Sequence, residues 1–411
     1  MDVVHERAAG IDISKRDAKV AVRVPGTRAG SFTTSVTTWG ATTSQVLELI
    51  EFLVGQQVTT VVMEATSDYW KPFYYLMEDQ LPVMLVNAKQ ARNIPGRKTD
   101  VSDAAWLAQL GAHGLLRGSL VPPEPIRQLR DLTRARTLAS RDRTRVEQRL
   151  EKFMESSGIK LSSVLTKLTG ASGRSMLHAL ADGEHDPVVL AELAKGTLRN
   201  KVPQLQDALV GRFTEHHAFM VRQYLTQIEQ YDALIGQLDE RIEEAIVPFR
   251  AARDVLVTIP GVSIHVADVI IAETGADMTT FETAAHLASW AGVCPGQNES
   301  AGKTKSSHTT HGNKYLKGAL GIAALSVSRS KNTFLAARYR RLVTRRGKPR
   351  ALVATEHSIL TAAWHMLRYG EAYEDPGADY YTHHDPQRAR NRAIRDLEAL
   401  GYDVVISPVA A

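Results

Sequence analysis

Hydrophobic residues in the N-terminal part of the chain form short β-branched runs, which alternate with segments whose apolar positions recur every three or four residues. Short continuous runs predict buried strands, and the longer period predicts amphipathic helices. The resulting order of strands and helices favours a mixed α/β sheet of roughly 120 residues. We assign strands to 9–14, 17–24, 31–38, 58–64 and 82–86, and helices to 44–55, 69–79 and a segment that starts near residue 100.

After a proline-rich break at 122–125 the pattern becomes helical. Segments 126–154 and 204–247 are long and charged, and each has a broken stripe of large apolar residues. Two helices of this kind predict an antiparallel coiled coil, formed within the chain or across a dimer. Further on, Ile259-Pro260-Gly261-Val262 fits two structures equally well: a helix-hairpin-helix whose amides hold a phosphate, or an ordinary αα-hairpin.

These patterns predict a fold class of α/β plus all-α, with four segments. The boundaries follow the changes in hydrophobic period and the proline-rich break. We predict an α/β domain at 1–125, a coiled-coil region at 126–250 with a helical insert at about 156–203, a mainly helical domain at 251–350, and a C-terminal helix and tail of unassigned role at 351–411.

Composition is ordinary for a globular protein, with 44% hydrophobic and 23% charged residues among 411. Cys294 is the one cysteine, which excludes a disulfide within the chain and disfavours a cysteine-based zinc site. The first residues have no apolar stretch typical of a signal peptide, and no run of about 18 apolar residues predicts a membrane span. We therefore expect a cytoplasmic protein without a membrane partner.

Positive charge is concentrated in two segments, although the net charge is only +5. Segment 127–152 has nine Lys and Arg against four Asp and Glu, and 329–350 has nine Lys and Arg with no acidic residue. Such runs are often solvated helix faces, but a span without carboxylates favours contact with phosphates. Our candidate nucleic-acid-binding residues are Arg130, Arg134, Arg141, Arg145, Lys303, Lys305, Lys314, Lys317, Arg340, Arg341, Arg345 and Arg346.

Four acidic residues lie at the ends of predicted elements. Asp12 interrupts a buried strand, and Glu64 ends another at the edge of the sheet where sites form. Asp100 and Asp103, three apart, are expected on one helical turn that Thr99 or Asp100 caps. Clustered carboxylates of this kind suit a two-metal phosphoryl-transfer site. The alternatives are a turn aspartate at Asp12, held by the amides of Lys15 and Arg16, and first-turn aspartates that favour the helix dipole.

A polar, glycine-rich loop at 291–305 contains Ser300 close to Lys303 and Lys305. A serine between small residues and beside cations can act as a nucleophile on a phosphate. The alternative is an ordinary loop serine. The loop does not match a phosphate-binding Walker A sequence.

Taken together, the motifs resemble those of the DEDD transposases of the IS110 insertion-sequence family, which are bridge-RNA-guided recombinases. The resemblance extends over roughly residues 8–345. The motifs that carry it are Gly10-Ile11-Asp12-Ile13-Ser14, Met63-Glu64-Ala65-Thr66, Lys98-Thr99-Asp100-Val101-Ser102-Asp103-Ala104, Ile259-Pro260-Gly261-Val262 and Pro295 followed by Ser300-Ala301-Gly302-Lys303.

The resemblance implies a RuvC-like, RNase-H-fold domain at 1–125, a coiled coil, and a transposase domain at 251–350 that supplies a catalytic serine. It implies Asp12, Glu64, Asp100 and Asp103 as Mg²⁺ ligands and catalytic residues, and Ser300 as the nucleophile, with Ser306 and Ser307 as alternatives. It further implies a dimer or tetramer with composite sites, a non-coding bridge RNA, donor and target DNA, and a bacterial enzyme that associates with the nucleoid when bound to DNA.

The function that follows is RNA-guided cleavage and rejoining of DNA strands through a phosphoserine intermediate. One alternative is a RuvC-like junction endonuclease that uses a metal-activated water. A second is an actin-like sugar kinase, which the start of the first strand would fit but which needs a second glycine-rich phosphate loop that this sequence lacks. A third is a non-catalytic nucleic-acid scaffold.

Overall fold

The computed structural model describes residues 2–28, 30–87, 94, 102–296 and 298–407. The chain divides into two compact units, Met1–Val121 and Pro122–Ala411. The division falls at the proline-rich break, where two consecutive prolines disfavour continuation of a helix or strand. The division of the second unit into a coiled-coil region, a transposase domain and a tail stays a prediction.

The first unit is built on a five-stranded mixed sheet with the order β3-β2-β1-β4-β5. Strand β1 pairs antiparallel with β2 and parallel with β4, and β4 pairs parallel with β5. The predicted mixed α/β domain is confirmed. The strands are β1 (Ala8–Ile13), β2 (Asp17–Pro25), β3 (Phe32–Gly40), β4 (Thr60–Glu64) and β5 (Val83–Val86).

Helices cover both faces of this sheet. Helices α1 (Thr43–Gly55) and α2 (Trp70–Met77) bury one face, on which Ile11 and Met63 form a hydrophobic core. Helix α3 (Asp103–Ala112) covers the other face. Because the central strands are buried on both sides, their sequences are nearly continuous hydrophobic runs rather than alternating ones.

The second unit begins with two helices of 31 residues each, α4 (Glu124–Met154) and α9 (Glu215–Ala245). Arg136 pairs with Asp239 and Arg143 pairs with Asp232. The residue number falls along one helix as it rises along the other, so the helices are antiparallel. The predicted pair therefore forms within one chain.

The predicted helix at 204–247 is wrong in its first part. A short helix ends at Leu209, and α9 starts only at Glu215. Gly211 lies in the break, where an added Cβ would be 2.6 Å from the carbonyl oxygen of Ser157. Close packing of the backbone at Gly211 therefore interrupts the helix. The insert consists of α5 (Leu161–Val164), α6 (Ala171–Ala181), α7 (Pro187–Ala191) and α8 (Val202–Leu209), with 3₁₀ turns at Glu155–Ser157 and Gly196–Lys201.

The described residues of the remainder form helices, their connecting loops and one hairpin of two short strands. Helix α15 includes residue 350, the predicted end of the third segment. The described helices include none that is both long and apolar enough to cross a membrane. The elements are α10 (Arg250–Leu256), α11 (Ile264–Thr274), α12 (Ala284–Ala291), β6 (Asn298–Ser300), β7 (Lys303–Ser306), α13 (Lys314–Arg329), α14 (Phe334–Arg346), α15 (Lys348–Tyr369), α16 (Tyr380–His384) and α17 (Pro386–Ala399), with 3₁₀ turns at Val247–Phe249 and Met278–Thr280.

The turn at Gly261 packs against α13. Gly261 has a φ of +87°, and a Cβ there would be 2.7 Å from the carbonyl oxygen of Ala323. Ser263 caps α11 by accepting a hydrogen bond from the amide of Val266. Packing inside the unit therefore explains why residue 261 is a glycine. Such packing is also found in ordinary αα-hairpins.

Candidate acidic site and serine hairpin

Two of the predicted acidic residues lie at the same edge of the first unit's sheet. Glu64 is the last residue of β4, and Asp12 is the last but one of β1. The strands are parallel, and Ile11 is in register with Met63, so Asp12 and Glu64 follow at the same level. Both side chains are half-buried. This is the edge at which sites form in open α/β sheets.

Helix α3 brings Asp103 towards that edge. At its C-terminal end, the carbonyl oxygen of Ala112 accepts hydrogen bonds from the amides of Val4 and His5, which precede β1. Near its start the helix crosses Gly10, where a Cβ would be 2.1 Å from the carbonyl oxygen of Ala104. The helix therefore runs against the direction of β1. Asp103, its first residue, lies towards the end of β1 that carries Asp12.

The predicted cap of this helix is wrong. Ser102 is the N-cap, and its hydroxyl accepts a hydrogen bond from the amide of Ala105 at 3.2 Å. Helix α3 begins at Asp103. Asp100 and Thr99 themselves lie outside the described residues. Asp103 is half-buried at the helix N-terminus, where a carboxylate interacts favourably with the helix dipole.

The side chain of Ser14 holds the turn after β1. Ser14 Oγ accepts hydrogen bonds from the amides of Arg16 and Asp17, and it donates to the Asp17 carboxylate. Asp12 belongs to the strand and is in register with Lys19 of β2. The amide of Arg16, which the alternative of a turn aspartate assigned to Asp12, donates to Ser14 Oγ.

The described acidic residues have the right chemistry for a hard divalent cation, since all three offer carboxylate oxygens. Within the described ranges, however, no three His, Cys, Asp or Glu side chains lie close enough together to hold a metal ion. Asp12, Glu64 and Asp103 share one edge of the unit without forming a complete ligand set. The predicted fourth ligand, Asp100, is outside the described residues.

Ser300 lies at the tip of the hairpin in the second unit. It ends β6 and pairs with Lys303, the first residue of β7. The two residues between them have left-handed backbones, with φ of +50° at Ala301 and +73° at Gly302. Positive φ at both central positions is the geometry of a type I′ turn. This tight turn holds Ser300 and Lys303 opposite each other, and both are exposed to solvent.

The base of the hairpin is anchored by close backbone contacts. The amide of Gly296 donates to the carbonyl oxygen of His308 at 3.1 Å. Gly312 approaches Ala291 so closely that a Cβ would be 2.1 Å from its carbonyl oxygen. The ammonium of Lys317 donates to the carbonyl oxygen of Thr310 at 3.1 Å. The exposed tip therefore projects from a fixed base.

Arg130 and Arg134, both predicted to bind nucleic acid, are engaged inside the second unit. Arg134 makes two hydrogen bonds of 2.7 Å to the carboxylate of Glu273, which has no exposed side-chain surface. Arg130 donates to the carbonyl oxygens of Ala272 and Glu273 at the end of α11. Burial would lower the pKa of Arg134, but the Glu273 carboxylate outweighs it and raises that pKa. These contacts give both arginines a structural role.

Several of the other predicted basic residues also make contacts within the second unit. Lys317 is held by Thr310, and Arg340 donates to the carbonyl oxygens of Ser330 and Lys331. Arg341 lies over the ring of Tyr381. Lys317 is half-buried, whereas Arg141, Arg145, Lys303, Lys305, Lys314, Arg340, Arg341, Arg345 and Arg346 are exposed.

Two residues of this region escaped sequence analysis. Glu273 also accepts a 2.6 Å hydrogen bond from the side chain of Asn313, which caps α13 by accepting from the amides of Tyr315 and Leu316. An acidic residue near the end of a mainly apolar helix was the available signal for Glu273. The ring of Tyr315 lies beneath Arg134 and close to Lys314. Nothing in its sequence context marks Tyr315.

Comparison with known proteins identifies two matched regions. Residues 9–158 match the DEDD family model of IS110 transposases, and residues 253–340 match the "Transposase IS116/IS110/IS902 family" model. The first region contains the acidic residues, and the second contains Ser300. A DEDD transposase domain suggests dependence on a divalent metal.

A curated relative agrees with these matches. The chain is 30% identical over 147 residues to the "Insertion element IS110 uncharacterized 43.6 kDa protein" of Streptomyces coelicolor. The match covers 36% of this chain and 35% of that protein, so the similarity spans about a third of the relative's length. Together, the two family regions and this relative show that the chain belongs to the IS110 family of transposases.

Proposed function

We propose that the protein is a DNA transposase that cuts and rejoins strands through an acidic site and a serine nucleophile. The observation that carries the proposal is the placement of Asp12, Glu64 and Asp103 at one edge of the sheet, together with a separate exposed serine at a tight hairpin tip. The membership of the chain in a transposase family gives DNA as the substrate.

In the proposed reaction, the Ser300 hydroxyl oxygen attacks the scissile phosphorus. A serine–phosphate bond forms while one phosphodiester oxygen leaves, and that oxygen takes up a proton as the serine loses its own. A hydroxyl of the strand to be joined then attacks the phosphoserine and releases Ser300. No water enters, so the energy of the phosphodiester bond is kept for rejoining. Lys303, opposite Ser300, is suited to hold the phosphate.

The acidic residues would orient the substrate. Asp12, Glu64, Asp100 and Asp103 would hold Mg²⁺, which when bound stabilises negative charge on the scissile phosphate. The half-burial of the three described carboxylates supports this role, since it limits competition from bulk water. The incomplete ligand set among the described residues leaves Asp100 as the residue on which the proposal depends.

The partners follow from the same proposal. A non-coding bridge RNA would select donor and target DNA, so that the protein itself reads backbones rather than base sequence. A dimer or tetramer would bring the acidic domain of one protomer to the serine hairpin of another. We place the protein in the bacterial cytoplasm, in association with the nucleoid when it binds DNA.

The test is a recombination assay on donor and target plasmids with the element's RNA, Mg²⁺ and single-residue variants. Asp12→Asn, Glu64→Gln, Asp100→Asn and Asp103→Asn should each abolish recombinant product while nucleic-acid binding persists. Ser300→Ala should give the same loss, whereas Ser307→Ala should recombine normally. Strand cleavage without rejoining by Ser300→Ala would instead favour a RuvC-like junction endonuclease that uses water. Recombination unaffected by the acidic variants would contradict the proposal.

A further inference from the structure

Three helices of the second unit enclose a groove that the proposed reaction does not use. Its cavity has a volume of about 460 Å³, which is within the usual range for a small-ligand site. One wall is a single face of α4, which presents Ser140, Arg141 and Arg145. The other wall is α13, and α11 closes the end. None of the residues that line the groove carries a carboxylate.

The charged wall has cationic groups available for an anion. Across the described part of the chain, no hydrogen-bond or ion-pair partner is found for Arg141, which is exposed. Its guanidinium lies near Gly318 of α13, where a Cβ would be 3.6 Å away. Arg145 pairs with Asp142 at 2.6 Å, but its side chain is 66% exposed, so that pair is weak and exchangeable. The guanidinium groups of Arg141 and Arg145 are therefore available to bind a phosphate.

The opposite wall is apolar. Val269 and Ala319 are buried beside the groove, and Ile322 keeps 59% of its surface exposed although it lines the cavity. Tyr315 completes this wall. His265 is neutral at pH 7, because burial and the nearby Arg136 lower its pKa to about 4. A ligand of this groove would thus carry negative charge on one side and an apolar face on the other.

A second cavity of about 420 Å³ shares Tyr315 with the first. It is lined by Arg134, Trp290 and Lys314, with Gly312 and Asn313. This cavity also combines cations with an aromatic ring and lacks an acidic lining residue. Tyr315 thus borders both cavities, and each is also lined by cationic side chains.

We propose that this groove binds a single-stranded stretch of nucleic acid, with one unpaired nucleotide in the larger cavity. Its phosphate would contact Arg141 and Arg145, and its base would lie against Tyr315 and Ile322. Aromatic contacts to bases beside a basic backbone track are how proteins bind single strands without sequence preference. A duplex fits less well, since its bases are stacked and cannot reach the apolar wall. The inference rests on the proposed function only in taking nucleic acid as the substrate class.

The test measures binding of the full chain to fluorescein-labelled dT12, rU12, a 12-base-pair DNA duplex and an abasic 12-mer by fluorescence anisotropy. Arg141→Ala should weaken binding of dT12 and rU12 about tenfold and lower the salt slope by about one. Arg149→Ala removes a positive charge from an exposed residue on the same helix outside the groove, and it should cost less than threefold. The duplex should respond equally to both variants.

A separate measurement tests the contact between the nucleotide base and Tyr315. Tyr315→Leu should weaken binding of dT12 by about tenfold but leave the abasic strand unchanged, and Tyr315→Phe should bind like the wild type. Tighter binding of rU12 than of dT12 would identify RNA as the natural occupant. Equal binding would identify both RNA and single-stranded DNA as occupants. The inference is overturned if Arg141→Ala behaves like Arg149→Ala, or if Tyr315→Leu weakens abasic and intact strands alike.

The same preparations separate this inference from the proposed reaction. Ser300→Ala should bind dT12 with wild-type affinity while it fails to recombine plasmids. Normal recombination by Ser300→Ala with Arg141-dependent binding would refute the serine mechanism alone. Loss of recombination by Ser300→Ala without any Arg141 or Tyr315 effect on binding would refute the groove alone.

Discussion

Arg134 of α4 and Glu273 of α11 form a two-point ion pair, with both hydrogen bonds at 2.7 Å. The same carboxylate binds the side chain of Asn313, which caps α13. One buried acidic group thus joins three helices that surround the groove and the base of the serine hairpin. Removal of one partner from such a pair leaves a buried charge without a counter-charge, and this strongly destabilises the folded state.

Glu273→Ala should therefore lower the free energy of unfolding of the second unit by about 3 kcal/mol. The matched control is Glu244→Ala, which removes an exposed carboxylate paired with Arg241 and should cost less than about 1 kcal/mol. Urea unfolding followed by circular dichroism measures both. A cost for Glu273→Ala no larger than that of the control would contradict this role of the ion pair.

Gly10→Ala should disrupt the first unit, since the added methyl group would lie 2.1 Å from the carbonyl oxygen of Ala104 and 2.4 Å from the amide nitrogen of Ala108. Helix α3 must then move away from β1, and Asp103 moves with it. We expect a loss of stability of about 3 kcal/mol, at the upper end for overpacking, and loss of recombination. Gly55→Ala, with nothing within 4 Å of the new methyl group, should change neither property.

Ala301→Gly should stabilise the serine hairpin. Removing an alanine from the left-handed region should raise the free energy of unfolding by about 1–2 kcal/mol. The greater conformational freedom of glycine in the unfolded chain should lower it by about 0.4–1 kcal/mol. Gly302→Ala is the opposite change in the same turn, at a φ of +73° and with no atom within 4 Å, so its cost is conformational alone. Amide hydrogen exchange of β6 and β7 should slow in Ala301→Gly and accelerate in Gly302→Ala. Equal exchange in both variants would contradict the type I′ geometry.

His265 and Asp268 of α11 should give opposite pH dependences of stability. Burial, reinforced by Arg136, lowers the pKa of His265 from 6.5 to about 4, so its contribution is complete above pH 6.5 and is lost as the pH falls towards 4. Burial, partly opposed by Arg253, raises the pKa of Asp268 from 3.8 to about 6. Its contribution is present below pH 3.8 and is lost as the pH rises through 6.

The two effects offset each other in the wild type between about pH 4 and 6. Relative to the wild type, His265→Gln should make the unfolding free energy fall more steeply with rising pH in this window, and Asp268→Asn should make it rise. Urea titrations at half-unit pH intervals measure these slopes. The assignment is wrong if both variants shift the slope in the same direction.

The mixed sheet was predictable because its strands are buried on both faces and therefore form continuous apolar runs. The antiparallel helix pair was also predictable, because each of its helices has a stripe of apolar residues. The break at Gly211 was not predictable, since the apolar pattern continues across it and the glycine is required by the approach of Ser157 and Ile159, some fifty residues earlier in the chain. Local signals also misplaced the cap of α3, because several adjacent polar residues could serve and Ser102 does.

For the site, sequence located acidic residues at element ends, and the fold places three of them at one edge. The engagement of Arg130 and Arg134 could not be predicted, since their partner Glu273 is 139 positions from Arg134 and reaches it only through tertiary packing. Charge runs along α4 do not distinguish an arginine that faces a neighbouring helix from one that faces solvent. The groove beside Arg141 follows from that same packing.

Mass spectrometry of a trapped protein–DNA adduct tests the serine mechanism. Wild-type protein is incubated with RNA, Mg²⁺ and a nicked or phosphorothiolate substrate that blocks rejoining, and the adduct is then digested. We expect a nucleotide covalently bound to Ser300, and no adduct with Ser300→Ala or Asp12→Asn. An adduct on another residue, or cleaved DNA without any adduct in the wild type, would contradict it.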